Sequence, residues 1–512
     1  MGKHELRAGH SGREALNEEQ YRQICEACDS VLLSQDANLA TIAIPWLHVI
    51  REHPSFLEHY EELFDDLGQV SLKRRLRSYL GWGWQVWKAL RVSGQAWFGL
   101  QAFKQRADIL FVSHLLNRSQ AGNDTDFYFG DLPESLHEAG HRVVVALVDH
   151  TGTADERLVK SWNSSSISHV ILSNSMDFRE EWSLCRRLKK EATRLAENSE
   201  SLVPGLLKNV LARASVEALS GGARMTLRMS RQVNKLVAQL RPRVVIVTYE
   251  GHAWERVTFD AAREAQPSVT CIGYQHAAIF RLQHSARRNL QPRFNPDQLF
   301  AAGPVSKRQL QQSPRLGDLQ VKVLGSPRSG RGPKTVLERS FMTCLVLPEG
   351  IISECHLLFE FSISCAILRP DVHFVWRLHP LVNFGSLIAG NPALKKLPRN
   401  VELSTVAIED DLARASYALY RGSTAIVKAV CANVQPIYFA LPGEMTIDPL
   451  YQLGSWRESV KSPEQFSSIV YRRPLQAGAS EAQISAVRYC GNFYMPIDPA
   501  VVVKILQPQE KN

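Results

Sequence analysis

Two α/β units in tandem, behind a helical N-terminal extension, are what the sequence predicts. Three observations lead there. The chain has 512 residues, more than one hydrophobic core organises. Short β-branched runs alternate with helix-period segments from about 108 to 317, the pattern of a parallel, doubly wound sheet. A second series of the same kind starts near 318. The expected divisions are a helical region over 1–106, one Rossmann-like unit over 107–317 and another over 318–512, with a cleft between the two units.

The elements follow in order. Residues 14–70 carry apolar side chains at three- and four-residue spacing, as in "YRQICEACDSVLLSQ" and "PSFLEHYEELFDDL", which predicts helices. Residues 72–106 differ: they hold eight Lys/Arg, no Asp or Glu, and four of the ten Trp. Leu76, Leu80, Trp84 and Trp87 fall on one helical face. That is the composition of an interfacial membrane helix; the plainer account is a helix packed on a domain with its basic face in water. From 108, "DILFVSHLL", "RVVVALVDH", "SHVILSN", "RPRVVIVTYEG" and "VTCIGYQH" read as strands separated by helices, the longest region spanning about 178–240. In the second unit "LQVKVLGSP", "FMTCLVLPEG", "VHFVWRLHP", "NVELST", "YALYRGS" and "VQPIYFALPG" do the same.

Composition narrows the class. Apolar content of 45% and charged content of 22% are those of a globular protein. No run of about 18 uncharged apolar residues is present, so no spanning helix is expected. The N-terminus lacks the apolar core of a secretory signal, and Leu6 stands where myristoylation needs Ser or Thr. Nine scattered cysteines, with only Cys25 and Cys28 spaced C-x-x-C, read as reduced thiols of a cytoplasmic protein. A net charge of +9 favours an anionic partner: a nucleotide, a nucleic acid or an anionic lipid surface.

Several motifs fail on context. "HEAGH" (137–141) has the H-E-x-x-H zinc spacing, but that site needs both histidines one turn apart on a continuing helix. Here three valines follow at once and Gly140 reads as a helix end, so His137, Glu138 and His141 diverge. "DTD" (124–126) resembles a D-x-D metal site but lies in a polar loop. "GSPRSGRGPK" from Gly325 has Arg331 in place of the P-loop lysine, and no following helix. No G-x-G-x-x-G follows the first strand of either unit.

The better signals stand at the carboxyl ends of strands, where open α/β sheets bind ligands. In the second unit these are Glu349–Gly350 in "LPEG", Arg377, His379 and Pro380 in "RLHP", and Gly422–Ser423–Thr424 in "YRGSTAIVKAV". Ser423 or Thr424 would cap the next helix, whose free N–H groups suit a phosphate. Arg377 and His379 would add charge-assisted contacts. In the first unit the strand ends offer Ser113–His114, Asp149–His150, Tyr249–Glu250–Gly251–His252 and Gln275–His276. For Glu250 the plain alternative is a residue that caps the helix starting near Trp254.

These segments also carry a resemblance. "SHLLN…DFYFGDLPESLHEAG", "TYEGHAWER" and "IGYQHAAIF" look like parts of bacterial surface-carbohydrate biosynthesis proteins, and "RLHP" followed by "RGSTA" resembles the His-Pro and Ser/Thr motifs of the bacterial sialyltransferase and Kdo-transferase group. The resemblance spans roughly 108–450. It implies the GT-B arrangement, two Rossmann-like domains facing a cleft. The C-terminal domain would bind a nucleotide sugar, CMP-linked by preference, with no essential metal and no resident cofactor. His379 would face the donor phosphate, and Ser423 or Thr424 would bind it. The group's acidic-acidic-Gly motif has no clear copy; Glu250–Gly251 is nearest and lacks one acid.

The expected activity is therefore sugar transfer to a lipopolysaccharide or capsular polysaccharide, on the inner face of the cytoplasmic membrane. Glu250 and His276 are the catalytic candidates, Glu250 as general base if the transfer inverts or as nucleophile or stabiliser of the oxocarbenium-like charge if it retains, with His114, Asp149, His252 and Gln275 on the acceptor side. No nucleic-acid partner is expected. Other readings are a CDP-dependent polyol-phosphate transferase, a zinc hydrolase using His137, Glu138 and His141, and a non-catalytic glycan-assembly protein.

Overall fold

The computed structural model describes residues 16–64, 72–90, 94–99, 106–123, 125–162, 167–329, 342–380, 382–471 and 480–507. Two sheets organise it. The first contains β1 (Trp97–Phe98), β2 (Ile109–Leu115), β3 (Val143–Asp149), β4 (Ser168–Leu172), β5 (Val244–Thr248), β6 (Thr270–Gln275), β7 (Gln298–Ala301) and β8 (Gln320–Val323). Their spatial order is β1-β4-β3-β2-β5-β6-β7-β8. All pairs are parallel except β1 with β4. The second contains β9 (Thr343–Leu347), β10 (His373–Trp376), β11 (Val401–Leu403), β12 (Tyr417–Tyr420), β13 (Gln435–Phe439) and β14 (Glu458–Val460), in the all-parallel order β11-β10-β9-β12-β13-β14.

The strands are apolar runs because parallel sheets are covered on both faces. Every residue of β3, β5, β9, β12 and β13 is buried. Helix Gly221–Leu240, capped by the Ser220 hydroxyl on Ala223 N (3.2 Å), lays Val233, Leu236, Val237 and Leu240 on Val245 and Val247 of β5. Apart from the short antiparallel edge strand β1, in each sheet the chain starts in the middle (β2, β9), winds outward, then returns to wind the other way. The crevices between β2 and β5, and between β9 and β12, are thus the topological switch points where such sheets bind ligands.

The two doubly wound units facing a cleft agree with the expected fold class. The expected divisions need three corrections. The strand at 320–323, read as opening the second unit, pairs with β7 and closes the first sheet; an apolar run looks the same whichever sheet it joins. The C-terminal helix Ala500–Leu506 returns to the first unit, where Val502 and Leu506 share a core with Ile109 and Phe111. The N-terminal helices are not a separate body. Tyr21, Ile24 and Cys28 of helix Glu18–Leu32 share a core with Leu184 and Leu188 of helix Phe178–Glu200, which belongs to the first unit.

Candidate functional site

A cavity of about 910 Å³ lies between the sheets. Its wall includes the ends of β5 and β6 (Glu250, His252, His276), the ends of β9, β10 and β12 (Glu349–Gly350, Arg377–Pro380, Gly422–Thr424), and the segment around Arg51. Eleven of the fourteen site candidates therefore line one space.

The first rim is shaped by the turn after β5. Helix Ala253–Ala265 starts one residue after His252. Its Glu255 carboxylate folds back and accepts from the backbone N–H of Glu250 (2.9 Å), Gly251 (2.7 Å) and His252 (2.9 Å). Glu255, not Glu250, is the capping acid. Gly251 has φ +86°, and a Cβ there would strike the Ser285 backbone, so only glycine makes this turn. Glu250 is left facing the cavity.

There Glu250 Oε2 lies 3.5 Å from His252 Nε2. Burial pushes the Glu250 carboxyl up, but the His252 hydrogen bond and the fields of His276, His252 and Arg51 outweigh it and hold it at about 2. Burial disfavours a charged His252, yet the Glu250 contact and the charges of Glu255 and Glu250 raise it. His276 goes the other way: burial, opposed only by Glu250, lowers it to about 4. A carboxylate and a neutral imidazole thus share the rim at neutral pH. His276 Nδ1 is buried with no hydrogen-bond partner among the described residues, and the Tyr128 ring packs against it with centroids 4.5 Å apart.

Three acceptor-side candidates lie away from the cavity. His114 is held between His150 (Nδ1 to Nε2, 2.8 Å) and the Thr248 hydroxyl (2.9 Å). Burial, with the nearby histidines, lowers its pKa to about 3. Asp149 organises its own loop, accepting from Thr151 N (2.8 Å), the Thr151 hydroxyl (2.7 Å) and Asn174 Nδ2 (2.8 Å). Gln275 is fully buried, and its amide is unpartnered among the described residues. All three stand at or one residue before a strand end, but that position does not decide whether a side chain turns into the cleft or into the protein.

The second rim uses its charges differently. Glu349 accepts from His53 Nε2 (2.6 Å) and Arg51 Nη2 (2.9 Å), so it ties the N-terminal segment to the second sheet. Burial would raise its carboxyl; His53 and Arg51 overcome that and hold it at about 2. A Cβ on Gly422 would collide with this carboxylate, and one on Gly350 with the His379 ring. Arg377 donates to Asp411 (2.9 Å) and the Val406 carbonyl (2.9 Å), so its guanidinium is already neutralised. His379 is half-buried and lowered, first by burial and then by Arg328, with Glu349 opposing.

The helix after β12 starts at Ile426, with Ala425 as N-cap and no side-chain cap. The expected capping by Ser423 or Thr424 is thus incorrect. Their carbonyls accept the first helical N–H groups instead, from Ile426 (3.4 Å) and Val427 (3.2 Å). Neither hydroxyl makes a hydrogen bond among the described residues, and both residues line the cavity.

His53, Glu349 and Glu354 bring ligand atoms within 4.8 Å of one another. His53 Nδ1 accepts from Ser55 N (3.2 Å), which places the ring proton on Nε2, where it donates to Glu349. Glu354 is paired with Arg421 (2.7 Å). The carboxylates of this cluster are engaged by cations, Glu349 by Arg51 (2.9 Å) and Glu354 by Arg421 (2.7 Å).

Sequence reasoning missed Arg51, Tyr128, Arg328, Lys428 and Tyr494, all of which line the cavity. Arg328 lies in the stretch dismissed as a P-loop, and among the described residues it meets tyrosines rather than a carboxylate. Arg331 and Asp124 fall outside the described residues. Asp126 accepts from Ser113 Oγ (3.0 Å), Tyr128 N (2.7 Å) and Phe129 N (2.8 Å), which makes it a turn organiser. Helix Leu132–Glu138 ends before His141, and Gly140 has φ +90°, so the H-E-x-x-H histidines share no helix. Cys25 and Cys28 are buried thiols, Cys25 raised to about 12 by burial.

No family model matches the chain, and no curated protein matches it. Solved structures similar to it include a glycosyltransferase from Rickettsia africae ESF-5, at 12% identity and TM-score 0.46, over 80% of this chain and 100% of that one. The glycosyltransferase SnogD from Streptomyces nogalater is similar at 13% identity and TM-score 0.44, over 79% and 100%. A UDP-N-acetylglucosamine 2-epimerase is similar at 11% identity and TM-score 0.39, over 79% and 95%.

Proposed function

We propose that the protein is a glycosyltransferase that moves a sugar from a nucleotide-activated donor, CMP-linked by preference, to a membrane-proximal glycan or glycolipid of a bacterial surface polysaccharide. The observation that carries this reading is one juxtaposition. Glu250, at the switch point of the first sheet, and Gly422–Ser423–Thr424, at that of the second, line the same cavity.

Each rim then has a task. The donor phosphate lies against the Ser423 and Thr424 hydroxyls and His379, with Arg328, which among the described residues meets tyrosines rather than a carboxylate, as the cation. The acceptor hydroxyl enters between Glu250 and His252. Its oxygen bonds the anomeric carbon, its proton passes to Glu250, and the bond from that carbon to the phosphate oxygen breaks with its electrons on the nucleotide. Before an acceptor binds, His252 holds Glu250 too acidic to be a strong base. An acceptor that displaces the 3.5 Å His252 contact removes the main stabiliser of the carboxylate and raises its basicity toward the working range. His276 stays neutral, and its buried Nδ1 gains a partner from substrate or water. This reading assigns no resident cofactor.

A thermal-shift series against CMP, CDP, UDP and GDP tests it, because a ligand that binds only the native state raises Tm by mass action. CMP is expected to stabilise the protein. Stabilisation by CDP alone would favour polyol-phosphate transfer, and stabilisation by none would contradict the proposal.

A further inference from the structure

Helix Leu72–Leu90 turns several of its large apolar side chains outward. Its inner face is marked by Ser78, whose hydroxyl donates to the Val216 carbonyl (3.2 Å), and by Trp82, which packs on the N-terminal core with the Lys189 ammonium 5.0 Å from its ring centre. On the opposite face Leu76, Tyr79, Leu80, Trp84 and Trp87 are exposed by 56, 55, 75, 61 and 39%. Trp84 and Trp87 stack with centroids 4.6 Å apart. A helix that merely packs on its domain turns this face inward and its charges to water; here the large apolar residues are in water. Single exposed leucines need no explanation, but five large side chains on one helical face mark an interaction surface.

The charge pattern selects the partner. Residues 72–106 hold eight Lys/Arg and no Asp or Glu. Tryptophan and tyrosine beside lysine and arginine suit the boundary between head groups and acyl chains. No helix among the described residues is long and apolar enough to cross a membrane, so this one lies on the surface. It packs on helices Phe178–Glu200 and Leu206–Glu217, and the second of these packs on Pro45–Leu47, where Pro45 and Trp46 line the cleft.

We propose that helix Leu72–Leu90 docks the protein on an anionic lipid bilayer, with Leu80 and Trp84 entering the interface and Arg77 among the head groups. The proposal rests on the transfer reading only for its purpose, which is to bring the cleft to a membrane-held acceptor. Lipid binding itself is measured without turnover.

The experiment is co-sedimentation of the full-length protein with vesicles of phosphatidylcholine alone, and of phosphatidylcholine and phosphatidylglycerol in equal parts. Binding to the mixed vesicles is expected, weakening as salt rises. Leu80→Ser and Trp84→Ser are each expected to reduce partitioning about tenfold. Both sites are exposed, so the melting temperature and the nucleotide-induced thermal shift should stay unchanged. Loss of vesicle binding and loss of donor binding are thereby separate results. Failure to sediment with either vesicle, or sedimentation that the two substitutions leave unchanged, overturns the proposal. So does a dimer in light scattering that the same substitutions dissolve without any vesicle binding, which would assign the face to a second copy.

Discussion

The rim of the first sheet and the rim of the second face each other with the same topology and different chemistry. On the first, Glu250, His252 and His276 titrate in one another's fields while lining the cavity. On the second, the strongest charges are engaged inside the protein, Glu349 by Arg51 and His53, and Arg377 by Asp411. What that rim offers a ligand is two small hydroxyl residues, a glycine turn and a half-buried histidine. The difference teaches that a charge at a strand end is not automatically a ligand. It underlies the proposal that reaction chemistry belongs to the first rim and holding to the second.

The sharpest way to break this division is Glu250→Gln. Loss of the base should lower kcat by about a hundred- to ten-thousand-fold, read in a transfer assay. A drop of less than tenfold would return Glu250 to a structural role.

Glu349→Gln comes next. It leaves Arg51 and His53 without their carboxylate, and breaking a buried pair costs about 3 kcal/mol or more. A melting curve should show that loss with nucleotide contacts otherwise in place. The same clamp gives a pH signature. Glu349 is held at about 2 in the folded chain against 4.5 otherwise. The folded state therefore binds fewer protons, and the contribution is full above about 4.5 and lost as pH falls toward about 2. Denaturant titrations of wild type across that window should lose roughly 3 kcal/mol more than those of the Glu349→Gln variant, in which Glu250 and the other depressed carboxylates still titrate. Equal losses in both would remove the clamp from the account.

Ser423→Ala with Thr424→Ala should weaken nucleotide binding about ten- to a hundredfold, the range for hydrogen bonds to a charged group, as read by calorimetry. The smallest effect is expected from His137→Ala and His141→Ala, which touch neither rim. Any large loss of activity there would revive the metal-hydrolase reading.

Much of this was legible in the sequence. The β-branched runs located the strands, and their carboxyl ends contained Glu250, His276, His379 and the 422–424 turn. The ambiguity over Glu250 was not removable that way, because Glu250 and Glu255 both stand where a capping acid could. Only the fold of the turn hands the cap to Glu255 and the cavity to Glu250. Arg51 and His53 left no local signal, since they act on Glu349 across 296 positions or more. Arg328 sat in a Gly/Pro-rich stretch whose failure as a P-loop hid its place in the cleft. His114 and Asp149 were found by the same strand-end rule as Glu250, but their neighbours bind them inside the first domain. The basic, Trp-rich segment was visible from composition alone; which face it turns outward was not.

The division of labour between the rims is tested most directly by calorimetric titration of one nucleotide, the best stabiliser in the thermal-shift series, into Glu250→Gln and into the Ser423→Ala, Thr424→Ala double variant. Glu250→Gln is expected to keep the wild-type Kd within about threefold while turnover collapses, and the double variant to lose affinity by at least about tenfold. Equal loss of affinity in both variants, or a double variant that binds like wild type, would contradict that division.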